Sequence, residues 1–329
     1  MVLFLAYHTN RRELIRSRNL VRLVLVGLFV LTNAWSAYAR KSAAEELASI
    51  HVTKAGVDAK NNFWAWDAKR RVVTRVTPNG DRFESDILPN AWSIDAEPER
   101  GIAVLSEGGR GIEIRGWNGS RKRSIRLLHS ATDIAWLSGS HIAVTPQTTG
   151  PCVEIWDAST GEYLSGFGAC PDITTSRPGV FPARATLLRY DPAHREIVTF
   201  DAFRCDLIAF SETGSITRKS HVQHPKAAEF DAWVKKLDAN AQAHRQSSVP
   251  VIRRYASMTI APDRSVLLGE SADGGGLTSV AILGDGTVQR TRIEDAQCPS
   301  IRFVAWGDDL VLYRDQRLPQ PVCIELRRR

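Results

Sequence analysis

The chain has 329 residues, 43% of them hydrophobic, and 43 lysines and arginines against 36 aspartates and glutamates give a formal net charge of +7. That apolar content excludes a disordered chain, and the length is enough to bury one large core. Residues 1–39 hold five of the arginines and one glutamate, so the remainder carries only about +3, and a nucleic-acid-binding function loses its main support.

In chain order the first feature is an export pattern. Arg11, Arg12, Arg16, Arg18 and Arg22 precede an apolar run at residues 23–31, and Ala37-Tyr38-Ala39 supplies the small residues a signal peptidase needs. Residues 1–39 are expected to be a signal peptide, followed by a short leader at 40–46, which makes the protein periplasmic or secreted. The run is short for a membrane span; extended through Ala39 it defines the alternative, an uncleaved N-terminal anchoring helix and the one route to a membrane. The segment from Asn10 to Arg16 resembles a twin-arginine signal.

From Val52 onward a strand-turn-strand-hairpin unit recurs about six times. Its second strand recurs as Phe63-Trp64-Ala65, Ile102-Ala103-Val104, Ile142-Ala143-Val144, Ile197-Val198-Thr199, Val266-Leu267-Leu268 and Leu310-Val311-Leu312. First strands precede five of these, at Trp92-Ser93-Ile94, Ile134-Ala135-Trp136, Leu187 to Tyr190, Met258-Thr259-Ile260 and Phe303 to Trp306. Pro98, Pro192 and Pro262 punctuate the turns between first and second strands, and hairpins close on Gly80, Gly119, Gly161, Gly214 and Gly286. A unit of roughly 40 residues and four strands cannot bury its own faces, so it must stack on neighbours. The expected fold is all-β: a six-bladed β-propeller at residues 47–326, in which an N-terminal strand at 47–53 completes the last blade. Trp64, Trp92, Trp136, Trp156 and Trp306 are expected to fill the wedges between blades.

The stretch from Val57 to Asp67, continued by Val76-Thr77-Pro78-Asn79-Gly80, resembles an NHL-type blade. The segment Ile155-Trp156-Asp157-Ala158-Ser159-Thr160-Gly161 is similar to quinoprotein-like and WD40-like blades. The resemblance covers most of residues 48–326 and implies blade geometry, not chemistry.

Five cysteines follow residue 39, an odd number in an oxidising compartment. The expected disulfides are Cys152 with Cys170, across a hairpin, and Cys298 with Cys323, in the last blade, with Cys205 left as a buried thiol. No metal-binding cysteine or histidine spacing is present, and no cofactor is expected.

Two insertions stretch the repeat, at residues 168–184 and 221–255. The second contains an expected α-helix, about residues 225–245, with Phe230, Trp233, Val234 and Leu237 on one face as a cap on the propeller or a contact for a partner protein. Both insertions, and the loops between second and third strands, fall on one face of a propeller. The candidate ligand-binding residues there are Asp67, Glu107, Arg110, Arg184, Arg204, Arg253, Glu270 and Asp273; the arginines suit an anionic or hydroxylated ligand. Motifs for zinc proteases, serine hydrolases and sialidases are absent from the sequence, and catalytic residues are not assignable. The leading expectation is an exported module that binds a ligand or protein in the bacterial envelope. The alternative is a lactonase or lyase in which Asp67, Glu107, Glu270 and Asp273 hold a divalent cation.

Overall fold

The computed structural model describes residues 52–106, 108–147, 150–169, 186–201, 205–223, 255–271, 277–293, 301–306, 309–314 and 325–328, with residues 228 and 232. Within them lie five four-stranded antiparallel sheets and one three-stranded sheet, each in sequence order from its first strand to its last. The first is β1 (Val52–Val57), β2 (Phe63–Asp67), β3 (Val72–Val76) and β4 (Arg82–Glu84). The second is β5 (Ala91–Glu97), β6 (Gly101–Ser106), β7 (Gly111–Arg115) and β8 (Arg121–Arg126). The third is β9 (Ala131–Trp136), β10 (His141–Pro146), β11 (Pro151–Asp157) and β12 (Tyr163–Ala169). The fourth is β13 (Thr186–Asp191), β14 (Glu196–Asp201), β15 (Asp206–Ser211) and β16 (Ile216–His221). The fifth is β17 (Tyr255–Ile260), β18 (Val266–Ser271), β19 (Leu277–Ile282) and β20 (Val288–Ile293). The last sheet holds β21 (Ile301–Trp306), β22 (Asp309–Arg314) and β23 (Glu325–Arg328).

This is an all-β propeller, and the expectation of six complete blades is corrected to five, followed by a three-stranded sheet. Val52 and Thr53, expected to help close the last blade, belong instead to β1, where Val52 pairs with Asp67. Residues 47–51 lie outside the described residues. So does the inserted segment from Lys226 to His244 apart from Ala228 and Ala232, both helical and exposed.

The blades stack because alternate residues of one strand serve two neighbours. Ile102 and Val104 of β6 pack on Trp64, Trp66 and Val73 of the first blade, whereas Ala103 and Leu105 pack with Ile134, Trp136 and Val144 of the third. A period of two on a strand buried on both faces produces this division. The pattern repeats where Ala143, Val153 and Ile155 meet Leu188, Ile197 and Phe210, and where Val198 and Phe200 meet Tyr255, Met258 and Val266. Fourth strands have no outer neighbour, and the side chains of β4 and most of those of β8 are accordingly exposed. Trp64, Trp136 and Trp156 are buried as expected, but Trp92 is 48% exposed, because the register slips between Ala91 and Ser93 and the intervening residue is pushed out of the ladder. Close approach requires glycine at 109, where φ is +70° and a Cβ would stand 2.1 Å from the Ala131 carbonyl oxygen.

Each first strand has one edge with no strand beside it, and side chains from the preceding blade supply acceptors to its backbone. Asp95 accepts from the Trp136 amide at 2.7 Å, Asp133 from the Leu188 amide at 3.0 Å, and Thr259 from the Ala305 amide at 3.1 Å. Asp133 does most. Its Oδ1 lies 2.6 Å from Lys54 Nζ of the first blade and accepts from Ser93 Oγ of the second at 2.7 Å, while its Oδ2 lies 3.3 Å from Arg189 of the fourth. Burial alone would raise its carboxyl, but the charges of Lys54 and Arg189 outweigh that and hold it at about 2.

Replacing Asp133 with alanine strands the buried Lys54 ammonium and should cost about 3–5 kcal/mol in urea unfolding. Coupling Asp133→Leu with Lys54→Met should recover most of that loss. An Asp133→Ala chain as stable as the native one would show that the ion pair contributes nothing.

Candidate functional site

Antiparallel blades put the first-to-second strand turns and the third-to-fourth strand hairpins at one end of the molecule. The connections between blades and the second-to-third strand loops lie at the other. A cavity of about 310 Å³ lies in the central channel towards the first end. First strands form its wall, with Lys54, Asp95, Ala135, Arg189, Thr259 and Ala305 among the lining residues, and the turns carrying Asp58, Asp191 and Pro262 surround its rim. Volumes of this order suit a small molecule.

The carboxylates around it differ in how far the protein already satisfies them. Asp58 caps its own turn, accepting from the amides of Lys60 and Asn62 at 2.9 Å each and from the Asn62 side chain. Asp191 does the same for Ala193 and His194, and its Oδ2 meets His194 Nδ1 at 2.8 Å. Asp95 accepts from the amides of Ala96 and Trp136. Glu97 has less: the Ala59 amide at 3.3 Å and the Arg100 guanidinium at 3.6 Å. Asp95 and Glu97 stand two apart on β5 and therefore on one face. Burial first, and the Asp95 charge second, push the Glu97 carboxyl up to about 7. Burial also raises Asp95 and Asp58. Lys54 is lowered by burial, against which the Asp133 charge works.

The aromatic part of the wall is Trp64, Trp136 and Tyr190. Trp64 lies so close to β1 that a Cβ on Gly56 would fall 2.5 Å from its ring. The Arg100 guanidinium sits 4.8 Å from the Trp136 ring centroid and donates to the carbonyls of Leu137 and Gly139, joining the turns of the second and third blades. Neither the Trp64 nor the Trp136 indole nitrogen, both buried, has a hydrogen-bond partner.

Of the residues expected to bind ligand, Asp67 and Arg110 are described away from this cavity. Asp67, fully buried at the end of β2, accepts from the amides of Lys69 and Arg70 at 3.0 and 2.9 Å, so its role is to cap the turn. Arg110 is exposed in the loop after β6, where its carbonyl accepts from Leu127. Both belong to the end opposite the cavity rim. Glu270 is in β18, paired with Tyr255 and Thr278. Glu107, Arg184, Arg204, Arg253 and Asp273 lie outside the described residues, as do Phe230, Trp233 and Leu237. Cys170, Cys298 and Cys323 lie outside them too; Cys152 and Cys205 are both buried, and no disulfide occurs among the described residues. No group of three or more His, Cys, Asp or Glu placed to hold a metal occurs among the described residues.

Lys54, Asp95, Glu97 and Arg189 were not singled out from the sequence, although a signal existed. A charge within the innermost strand of a blade has no route to bulk solvent, so it must be paired or face the channel.

No family model matches the sequence, and no curated protein matches it. Solved structures do resemble it. A catalytically inactive virginiamycin B lyase from Staphylococcus aureus, crystallised with quinupristin, aligns with a TM-score of 0.52 at 13% identity, over 80% of this chain and 77% of its own. A member of the DUF4221 family from Bacteroides vulgatus aligns with a TM-score of 0.53 at 11% identity, over 84% of this chain and 93% of its own. At such identities the likeness shows the propeller fold and no more.

The Glu97 carboxyl gives a test of this electrostatic description. In the unfolded chain it ionises near its ordinary value of 4.5, whereas in the folded protein it keeps its proton to about 7. Its contribution therefore falls as pH rises between those values, and above 7 it opposes folding. Glu97→Gln should lack this slope and be more stable than the native chain at about pH 8, by on the order of 2 kcal/mol, and equal to it near pH 4. Parallel stability curves across that range would contradict the assignment.

Proposed function

We propose that this chain is an exported β-propeller that works as a binding module in the bacterial envelope and holds a small molecule in the cavity of its central channel. The observation that carries this reading is that cavity itself: it is about 310 Å³, and its lining combines aromatic rings with charged groups on rigid first strands. Rigid strands position such groups better than loops do. The N-terminal basic and apolar pattern supports export. We further propose that the N-terminal segment ahead of β1 closes the ring by completing the last sheet, which has three strands among the described residues.

A second reading, a metal-assisted lyase or lactonase, draws on the four carboxylates at the cavity and on the lyase among the structurally similar proteins. Three of the four already serve turns or neighbouring backbone, which leaves few free oxygens for a cation.

Ala193 is an exposed turn residue on the cavity rim, and Ala193→Trp should obstruct the opening without disturbing the core. In a thermal-shift screen of small metabolites, binding in the channel predicts hits on the native chain that this variant loses, recovered unchanged by mass spectrometry. Conversion of a hit, dependent on added Ca²⁺ or Mg²⁺, would favour the enzyme. Hits that Ala193→Trp retains would move the site elsewhere.

A further inference from the structure

Seven large apolar side chains are exposed among the described residues, and they fall into two groups. Phe83, Tyr163, Leu164 and Ile216 belong to fourth strands, the outer rim of the ring. Ile87 (62% exposed), Trp92 and Leu128 (65%) lie instead at the end opposite the cavity, in or beside the connections that join the first blade to the second and the second to the third. Single exposed apolar residues are ordinary. What sets this group apart is how Trp92 reaches solvent: the slip in register between Ala91 and Ser93 turns it out of the ladder, and irregularities of this kind re-aim a side chain at the expense of local pairing.

The same end is basic. In the first two blades its segments, residues 68–71, 85–90, 107–110 and 126–130, carry five basic side chains to two acidic, Asp86 and Glu107. The turns at the cavity end of those blades, residues 58–62, 77–81, 97–100 and 116–120, carry two basic to four acidic. Arg70 is paired with Glu84, but Lys69, Arg71, Arg110 and Arg126 are exposed and have no ion pair among the described residues, so the fold makes no use of their charge. Unpaired cations interleaved with exposed apolar groups suit an anionic lipid surface: the cations are drawn to the surface charge, the aliphatic groups enter the acyl boundary, and an indole ring settles at headgroup level. Chain topology favours lipid over an acidic protein. Val52 pairs with Asp67, so β1 starts at this end, and the segment that precedes it, with its arginines and the apolar run at 23–31, joins the propeller on the same face.

We propose that the end of the propeller opposite the cavity docks on an anionic phospholipid bilayer, with Ile87, Trp92 and Leu128 entering the headgroup region and Lys69, Arg71, Arg110 and Arg126 meeting lipid phosphates. This goes beyond the channel reading and does not depend on what the cavity holds. It also sets an orientation: the more acidic cavity end is repelled by the same surface, so the channel opens away from the bilayer.

Hydrogen exchange of the full chain, followed segment by segment on vesicles of phosphatidylglycerol and of neutral phosphatidylcholine, tests this. Attachment alone is no readout, because the apolar run at 23–31 has affinity for either lipid. Docking predicts that amides of residues 85–92 and 126–130 exchange at least about fivefold more slowly on phosphatidylglycerol than on phosphatidylcholine, while those of 58–62 and 97–100 exchange alike on both. Arg110→Glu combined with Arg126→Glu should abolish the difference, as should salt at about 1 M on the native chain. Trp92→Ser combined with Leu128→Ser should reduce it at least about threefold. Exchange in β6 and β10 reports that each variant is folded, and the salt arm needs no variant. No slowing on phosphatidylglycerol, equal slowing on both lipids, or slowing that survives charge reversal or salt overturns the proposal. Slowing produced by soluble polyglutamate but not by phosphatidylglycerol would assign the face to an acidic polypeptide and overturn it as well.

Discussion

The fold of this chain turns on one buried carboxylate. Asp133 touches groups from four blades: the Lys54 ammonium, the Ser93 hydroxyl, the Leu188 amide with the Arg189 guanidinium, and, within its own strand, the Ile134 amide. Most of the contact between blades is made by apolar faces, which bind strongly but specify poorly how far one sheet slides over the next. A carboxylate with five directed partners has one arrangement, and it sets the relative height of the first strands. Because those strands wall the channel, the same interaction fixes where Asp95, Glu97 and Arg189 stand. The architecture of the cavity is thereby a consequence of the ring's internal tie.

Two kinds of buried charge consequently coexist on the neighbouring first strands β9 and β5. Asp133 is held at about 2 by its cations and contributes stability at every pH above the acid range. Glu97 is pushed the other way by burial and by Asp95, so its ionised form works against folding. Apolar packing between successive blades, continuous from Trp64 and Ile102 through Phe200 and Met258, is what allows the ring to carry that group.

Much of the fold was legible in the sequence because its signals are local. The Gly and Pro turns fell where strands pair in the structure: Gly80, Gly119, Gly161, Gly214 and Gly286 all have positive φ, and first and second strands align as expected. Strand count in the last sheet was less legible, because ring closure is a long-range pairing with no local motif. The candidate site was hardly legible. Sequence reasoning looks for function in long loops, and Asp67 and Arg110 were chosen on that ground, whereas the cavity is walled by regular strands in which Lys54, Asp95 and Glu97 read as ordinary alternation. Which end of a channel is lined by unsatisfied groups depends on contacts between residues 40 or more apart, such as Asp95 with Trp136. Trp92 shows the same limit: a one-residue register slip turned an expected packing group into an exposed one.

The central claim is that Asp133 couples the first strands of four blades, and native-state hydrogen exchange measures this most directly. Asp133→Ala should lower protection together in β1, β5, β9 and β13, with the Leu188 amide among the most affected, while amides of the third strands β7 and β11 keep theirs longer. Loss confined to β9, with Leu188 and the β1 amides exchanging as in the native chain, would contradict it.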